Sequence, residues 1–314
     1  MKNLLVIENS ADSLSHGVQP EGYECHQRLE QALEGIKDAV EQCHSIVEYT
    51  EATQSTEKNL LLVHSPSYIA ELEAASLKSE LTNPSPFGDE CLLYPESLNA
   101  AKTAVGGAIE GIDRLAKKEF ASVFVAARSP GHHAEPDRAM GYCLLSTAAI
   151  AARYAQSKYG LKVSVLDLDA HSGNGTIRAL NGLDGFQFLE AYIEGCPENS
   201  YPYPSEARIS PATNIVTVGL PVGTHGRVWR EAISTCLLPY AETFKPDLLI
   251  ISFGVDCMAG DPIGGFGATE EDILEVTRAA RRLGVPILSI LEGGYDLDNL
   301  RSGTKAHLLG LLAS

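Results

Sequence analysis

The sequence predicts a single α/β domain on a mostly parallel sheet of roughly eight strands, with helices on both faces. Three observations carry this. Short apolar runs rich in Val, Ile and Leu recur along the chain and are too short for helices. Segments of helical periodicity separate them. Four of the runs end in polar or glycine-rich stretches, as strands do at the carboxyl edge of an open parallel sheet.

Residues 4–7 read as the first strand, and 9–27 as a polar loop with Gly17, Pro20 and Gly22. Between 27 and 49, Leu29, Leu33, Ile36, Ala39, Val40 and Cys43 recur on one helical face. Residues 60–63 read as a short strand. Pro66 suits the first turn of a helix that runs through Tyr68 and Leu72. Residues 78–96 hold three prolines and Gly88 without periodicity, a candidate functional rim loop. A long amphipathic helix is expected over 97–118, a strand over 122–127, a polar loop over 129–141 and an Ala-rich helix over 144–159. Strands follow at 162–168, 214–220, 246–252 and 285–291. Thr269 and Asp272 have the spacing of a capping box at a helix start. No linker, repeat or low-complexity stretch interrupts the chain, so residues 1–314 are expected to form one domain.

Of the 314 residues, 44% are hydrophobic, ample for a large core. The formal net charge of −17 argues against a nucleic-acid partner, whose backbone requires clustered Lys and Arg. Seven scattered cysteines without a CxxC pair suit a reducing compartment. The apolar run before Glu8 is too short for a signal-peptide core, and no run could span a bilayer. A cytoplasmic location without a membrane partner is expected.

The organising stretch is KVSVLDLDAHSGNGT, residues 162–176. An apolar strand delivers Asp167, Asp169 and His171 at alternate positions, which a strand points to one side. Gly173, Asn174 and Gly175 then signal a turn. Three ionisable groups leaving an apolar strand are unfavourable to bury unless paired or metal-bound. The other strand ends offer Gly131-His132-His133, then Gly254-Val255-Asp256 with Gly260-Asp261-Pro262, and Glu292-Gly293-Gly294-Tyr295. A parallel sheet brings such ends to one edge.

The motifs RSPGHHA (128–134), GYC (141–143), DLDAHSGNGT (167–176), GVDCMAGDP (254–262) and LEGGY (291–295) are specific, and VHSPSYI (63–69) and PEGYECHQRL (20–29) are weaker echoes. In this order they resemble the arginase/deacetylase superfamily on its deacetylase side, the histone deacetylases and acetylpolyamine amidohydrolases. The resemblance implies the arginase/deacetylase fold and metal-dependent hydrolysis of an acylated amine, of the acetyl-lysine or acetylpolyamine type. It implies one Zn2+ on Asp169, His171 and Asp256, a donor set that Fe2+ or Mn2+ also suits. His133 would be the general base, with Asn174 as its partner. His132 would lend electrostatic help, with Asp167 as its acceptor. Tyr295 would donate to the developing oxyanion. A structural K+ on Asp167 is also implied. Gly141, Tyr142, Tyr201 and Tyr203 would line the substrate channel, and either Asp89 or Glu90 would be the rim acid.

Three positions depart from the family pattern. Ser172 stands where many relatives have a second His, Tyr142 where Phe is usual, and Glu194 near an expected His. The expected partner is a small acylated amine or an acyl-lysine peptide, and homo-oligomer formation stays open. An arginase-like ureohydrolase would need acids at 173 and 254, where the chain has Gly173 and Gly254. A non-catalytic binding protein on this fold would be expected to have lost His133, Asp256 or Tyr295, and all three are present.

Overall fold

The computed structural model describes residues 2–8, 12, 16, 22–43, 47–194, 201–202 and 212–313. Its main sheet has eight strands, all paired in parallel. In chain order they are β1 (Lys2–Glu8), β2 (Val47–Glu51), β5 (Phe120–Ala126), β6 (Val163–Asp167), β7 (Phe186–Ile193), β8 (Ile215–Leu220), β9 (Leu248–Phe253) and β10 (Ile287–Leu291). Between β2 and β5 lies a two-residue antiparallel pair, β3 (Ser85–Pro86) with β4 (Leu92–Leu93). The order across the sheet is β2-β1-β5-β10-β9-β6-β7-β8.

Strand periodicity divides the apolar residues between two cores. Leu4, Val6, Phe124, Leu166 and Ile251 face the helices His26–Cys43, Glu270–Arg281 and Leu297–Leu312. Leu5, Ile7, Val123, Val125, Val165 and Ile250 face the helices Ser97–Ala116 and Thr147–Tyr159. The central strands β6, β9 and β10 are buried along their whole length, which is why they read as unbroken apolar runs. The helix Pro66–Ser76 begins as expected, with Ser65 Oγ accepting from Tyr68 N–H at 3.2 Å. Both capping-box bonds between Thr269 and Asp272 are present.

Three expectations are corrected. The helix expected over 27–49 ends at Cys43, and residues 47–51 form the edge strand β2. Val47, Tyr49 and Thr50 are branched or aromatic and fit a pleated edge better than another helical turn. Residues 60–63 are not a strand. Glu57–Leu60 is a helical turn, and Val63 and His64 N–H groups close back on Leu60 O, so local bonds take the donors a sheet would need. Only Leu60 in that run is fully buried. The strand β7 went unread because Gln187 and Glu190 interrupt its apolar run, although both side chains are buried.

The adjacent strands β5, β10, β9 and β6 end at one edge. Residues 127–146, 292–296, 254–269 and 168–173 leave that edge together. The loop 129–141 is polar, as expected, yet almost wholly buried.

Candidate active site

Strand β6 stops at Asp167, so Asp169 and His171 reach the site through the turn beyond it rather than by strand alternation. His171 Nε2–H donates to Ile263 O at 3.2 Å, which turns Nδ1 inward. That nitrogen lies 3.0 Å from Asp169 Oδ1 and 2.9 Å from Asp256 Oδ2. All three side chains are buried, and one donor atom from each lies within 4.8 Å of the others. Two carboxylates converging on one imidazole nitrogen require a cation there, a proton or a metal ion. Burial opposes charge on His171, but Asp169 and Asp256 hold its pKa well above 6.5. Burial, with Asp169 next, pushes Asp256 up to about 7.

The surroundings leave these donors room and orientation. Gly293 N–H donates to Asp169 Oδ2 at 2.9 Å, and Ala170 N–H to Asp256 Oδ1 at 2.8 Å. A Cβ at Gly293 would press on both carboxylates. Two hard oxygen donors and one imidazole with its second nitrogen fixed suit a divalent metal with an open position. The residues therefore fit the metal that the motifs imply.

His132 and His133 lie side by side, ring centroids 4.0 Å apart and planes tilted by 41°, with separate partners. His132 Nδ1 lies 3.1 Å from Asp167 Oδ2. His133 Nδ1 lies 2.8 Å from Asn174 Oδ1. Burial opposes charge on His132, but Asp169 and Asp167 raise its pKa to about 10. Burial lowers His133 well below 6.5, and positive His132 and His171 lower it further. One imidazole is driven towards the cation and its neighbour towards the neutral base. The loop that carries them is pinned by Glu292 Oε2, which accepts from Gly131 N–H at 2.6 Å and His132 N–H at 3.1 Å.

Tyr295 is placed by its backbone. Asp261 Oδ2 accepts from Tyr295 N–H at 2.7 Å and Asp296 N–H at 3.2 Å, while Oδ1 accepts from Ile263 and Gly264 N–H. Arg28 lies over the Tyr295 ring, 4.9 Å from its centroid, and donates to Gly294 O at 2.7 Å and to Glu292 O. Glu24 in turn accepts from Arg28 Nη1 at 3.0 Å and from Arg128 Nε and Nη2 at 2.7 and 2.8 Å. Burial raises the Glu24 pKa, but Arg128, His16 and Arg28 hold it far below the carboxylate range. Glu24, Arg28 and Asp261 were given no role from the sequence. The signal was there, since Glu24 and Arg28 are an i,i+4 pair within a recognised motif.

Of the expected channel residues, Gly141 sits between the His133 and Tyr201 rings at φ 54°, where a Cβ would strike both. The Tyr201 ring stands edge-on to His133 at 4.9 Å. Tyr142 stands 5.9 Å from Tyr295. Tyr203 lies outside the described residues. Asp89 accepts from Tyr201 Oη at 3.2 Å, whereas Glu90 is exposed and lines a cavity of about 210 Å³ with Tyr23, Tyr94 and Tyr142. Ser172 donates to the buried Glu190 at 2.9 Å. Glu194 packs instead against Gly219 on the outer strand β8.

Residues 22–311 match the family model of the histone deacetylase domain. The chain belongs to the histone deacetylase family. This histone deacetylase domain is 31% identical to mouse polyamine deacetylase HDAC10 over 88% of its own length and 43% of that protein. It is 33% identical to the acetylpolyamine amidohydrolase of Mycoplana ramosa over 67% of its length and 62% of that protein. The chain thus spans under two thirds of each. Its fold matches the crystal structure of the HDA15 HD domain with a TM-score of 0.89 at 27% identity, covering 99% of this chain and 90% of that one. Among the described residues, no helix is long and apolar enough to cross a membrane.

Proposed function

We propose that this histone deacetylase domain hydrolyses the amide of an acylated amine, of the acetyl-lysine or acetylpolyamine type. One observation carries the reading. Four strand-end loops bring a metal-type donor set, two adjacent imidazoles with different partners, Asp167 and Asn174, and a tyrosine to one buried edge. Asp169, His171 and Asp256 would hold a single Zn2+, or Fe2+ or Mn2+ in its place. When bound, the metal supplies Lewis acidity to the amide carbonyl and lowers the pKa of its water from about 15.7 towards 7.

His133 holds its Nδ1 proton on Asn174, so Nε2 is the atom that takes a proton from the attacking water. His132, paired with Asp167, keeps positive charge beside the reacting carbonyl. Tyr295 donates its hydroxyl to the carbonyl oxygen. Burial above all raises its pKa well above 10, so the donor proton stays in place at neutral pH. Tyr142 and Tyr201 line the approach, and Glu90 is the rim acid, since Asp89 is engaged with Tyr201. A structural K+ at Asp167 belongs to the same proposal. The buried Glu190 stands in register with Asp167 on β7.

An arginase-like reading does not fit position 254. A Cβ there would collide with Asp169, so an added acid has no room. The test is elemental analysis of protein purified without added metal, with an assay for amide hydrolysis. One divalent metal per chain is expected, and Asp256→Ala should lose both metal and activity. Two tightly held transition metals per chain, or full activity in Asp256→Ala, would overturn the assignment.

A further inference from the structure

Glu135 has no part in the reaction described above. It lies two residues beyond His133, and its side chain is only 6% exposed. Its Oε1 accepts from Asn174 Nδ2 at 2.9 Å and lies 2.6 Å from Arg178 Nε. Asn174 and Arg178 are four residues apart on the helix Asn174–Leu180, so they share one face and close on the same carboxylate oxygen. The approach is close because residue 175 is glycine. A Cβ there would meet the backbone of His133 and Ala134.

The two ends of an asparagine amide differ little in shape and oppositely in chemistry. With Oδ1 towards His133, the amide accepts from Nδ1–H and leaves a lone pair on Nε2, the form that takes a proton. With its NH2 towards His133, it would donate to Nδ1. The ring proton would then sit on Nε2, and the base would no longer accept. The tautomer of His133 is therefore decided at the far end of the amide. There Nδ2 faces Glu135 Oε1, with His133 O at 3.4 Å and Met140 Sδ at 3.2 Å. A carboxylate paired with an arginine only accepts, so a turned amide would set oxygen against oxygen. An aspartate at 174 would need no such device, because both its oxygens accept.

We propose that Glu135, paired with Arg178, is a positioning residue that fixes the amide of Asn174 and, through it, the Nδ1–H tautomer of His133. The inference rests on the reading of His133 as the base. Glu135→Gln keeps the size but adds an NH2 that can meet Asn174 Oδ1, so the amide is free to turn. The expected result is a fall in kcat of about tenfold or more, inside the hundredfold to ten-thousandfold that a general base supplies. Metal content should stay the same, and KM should stay within about threefold.

The 15N resonances of His133, read without substrate, should show Nδ1–H in the wild type and a mixture of tautomers in Glu135→Gln. In Glu135→Gln/Asn174→Asp the pair is restored with its ends exchanged, since the introduced carboxylate would accept both from His133 and from the introduced amide. Its kcat should return to within about threefold of wild type. Should Glu135→Gln not fold, Glu135→Ala tests the same point, because it removes the acceptor that Nδ2 faces, and Arg178, 43% exposed, can turn to solvent. It too should show mixed tautomers.

A wild-type tautomer in either single variant would overturn the proposal. So would a folded double variant as slow as Glu135→Gln. A wild-type chain with no amide hydrolysis would sink the functional reading instead, leaving the substrate-free tautomer measurement to decide this one.

Discussion

In the proposed reaction the hydroxyl of Tyr295 has one task, and its removal isolates that task. Tyr295→Phe should keep the metal and the substrate KM but lower kcat by about a hundredfold or more, the usual loss for one oxyanion donor. Steady-state kinetics with metal analysis checks this, and a wild-type rate would mean the hydroxyl points elsewhere. His64 makes a separate prediction about stability. Its Nε2 accepts from Ser146 N–H at 3.0 Å, its ring stacks on Tyr68, and burial lowers its pKa from 6.5 to about 4. The unfolded chain therefore takes up a proton first as pH falls. The stabilisation is complete above about 6.5 and is lost progressively as pH drops through 4, on the order of 3 kcal/mol in all. In His64→Gln, urea unfolding should lose most of that slope between pH 6.5 and 4, and an unchanged slope would show that another group carries it. At this scale the sequence was most legible where strand-end motifs carry the side chains to one edge, as with Asp169, His171, Asp256, His133 and Tyr295. Asp261, Glu292 and Glu135 were silent because they act on backbone N–H groups or on another side chain, and spacing does not encode those partners.

The strands were legible as buried runs, and their failures have a common cause. Strand β7 contains Gln187 and Glu190, whose burial depends on partners brought from elsewhere, Ser164 and Ser172. The edge strand β2 is short and half-exposed, so its neighbour's helical pattern ran over it. Beside the apolar packing of Ala139, Leu144 and Leu145, one cluster of loops is held by ions. Glu24 joins Arg28, on the helix His26–Cys43, to Arg128 at the end of β5, and Arg28 grips the Tyr295 loop after β10. All three side chains are buried, so removing the central carboxylate strands two guanidinium groups. Glu24→Ala should lose about 3–5 kcal/mol in urea unfolding, the scale of a broken buried pair. A loss below about 1 kcal/mol would rank the triad with surface ion pairs.

The whole molecule bears on which substrate the site takes. The net charge of −17 gives an acidic surface that draws in cationic amines and repels acidic partners. The exposed Glu90 and the rings of Tyr23, Tyr94 and Tyr142 line a cavity of about 210 Å³, and Tyr142 stands 5.9 Å from Tyr295. The rim segment 78–96 adds only the two-residue pair of β3 with β4. In the proposed reaction Tyr142 and Tyr201 would flank the acyl amide and its alkyl stem, while the Glu90 carboxylate would attract a nearby ammonium group. An acetylated diamine and acetyl-lysine should therefore have kcat/KM within about tenfold of a long acetyl-lysine peptide, with no systematic gain from peptide length. Raising salt should raise KM for the diamine, because the attraction at an exposed mouth is screened over about 8–10 Å. Kinetics on the three substrates at two ionic strengths makes the comparison. Turnover of the long peptide alone would replace the small-amine reading with a protein deacetylase whose grip comes from surface beyond this rim.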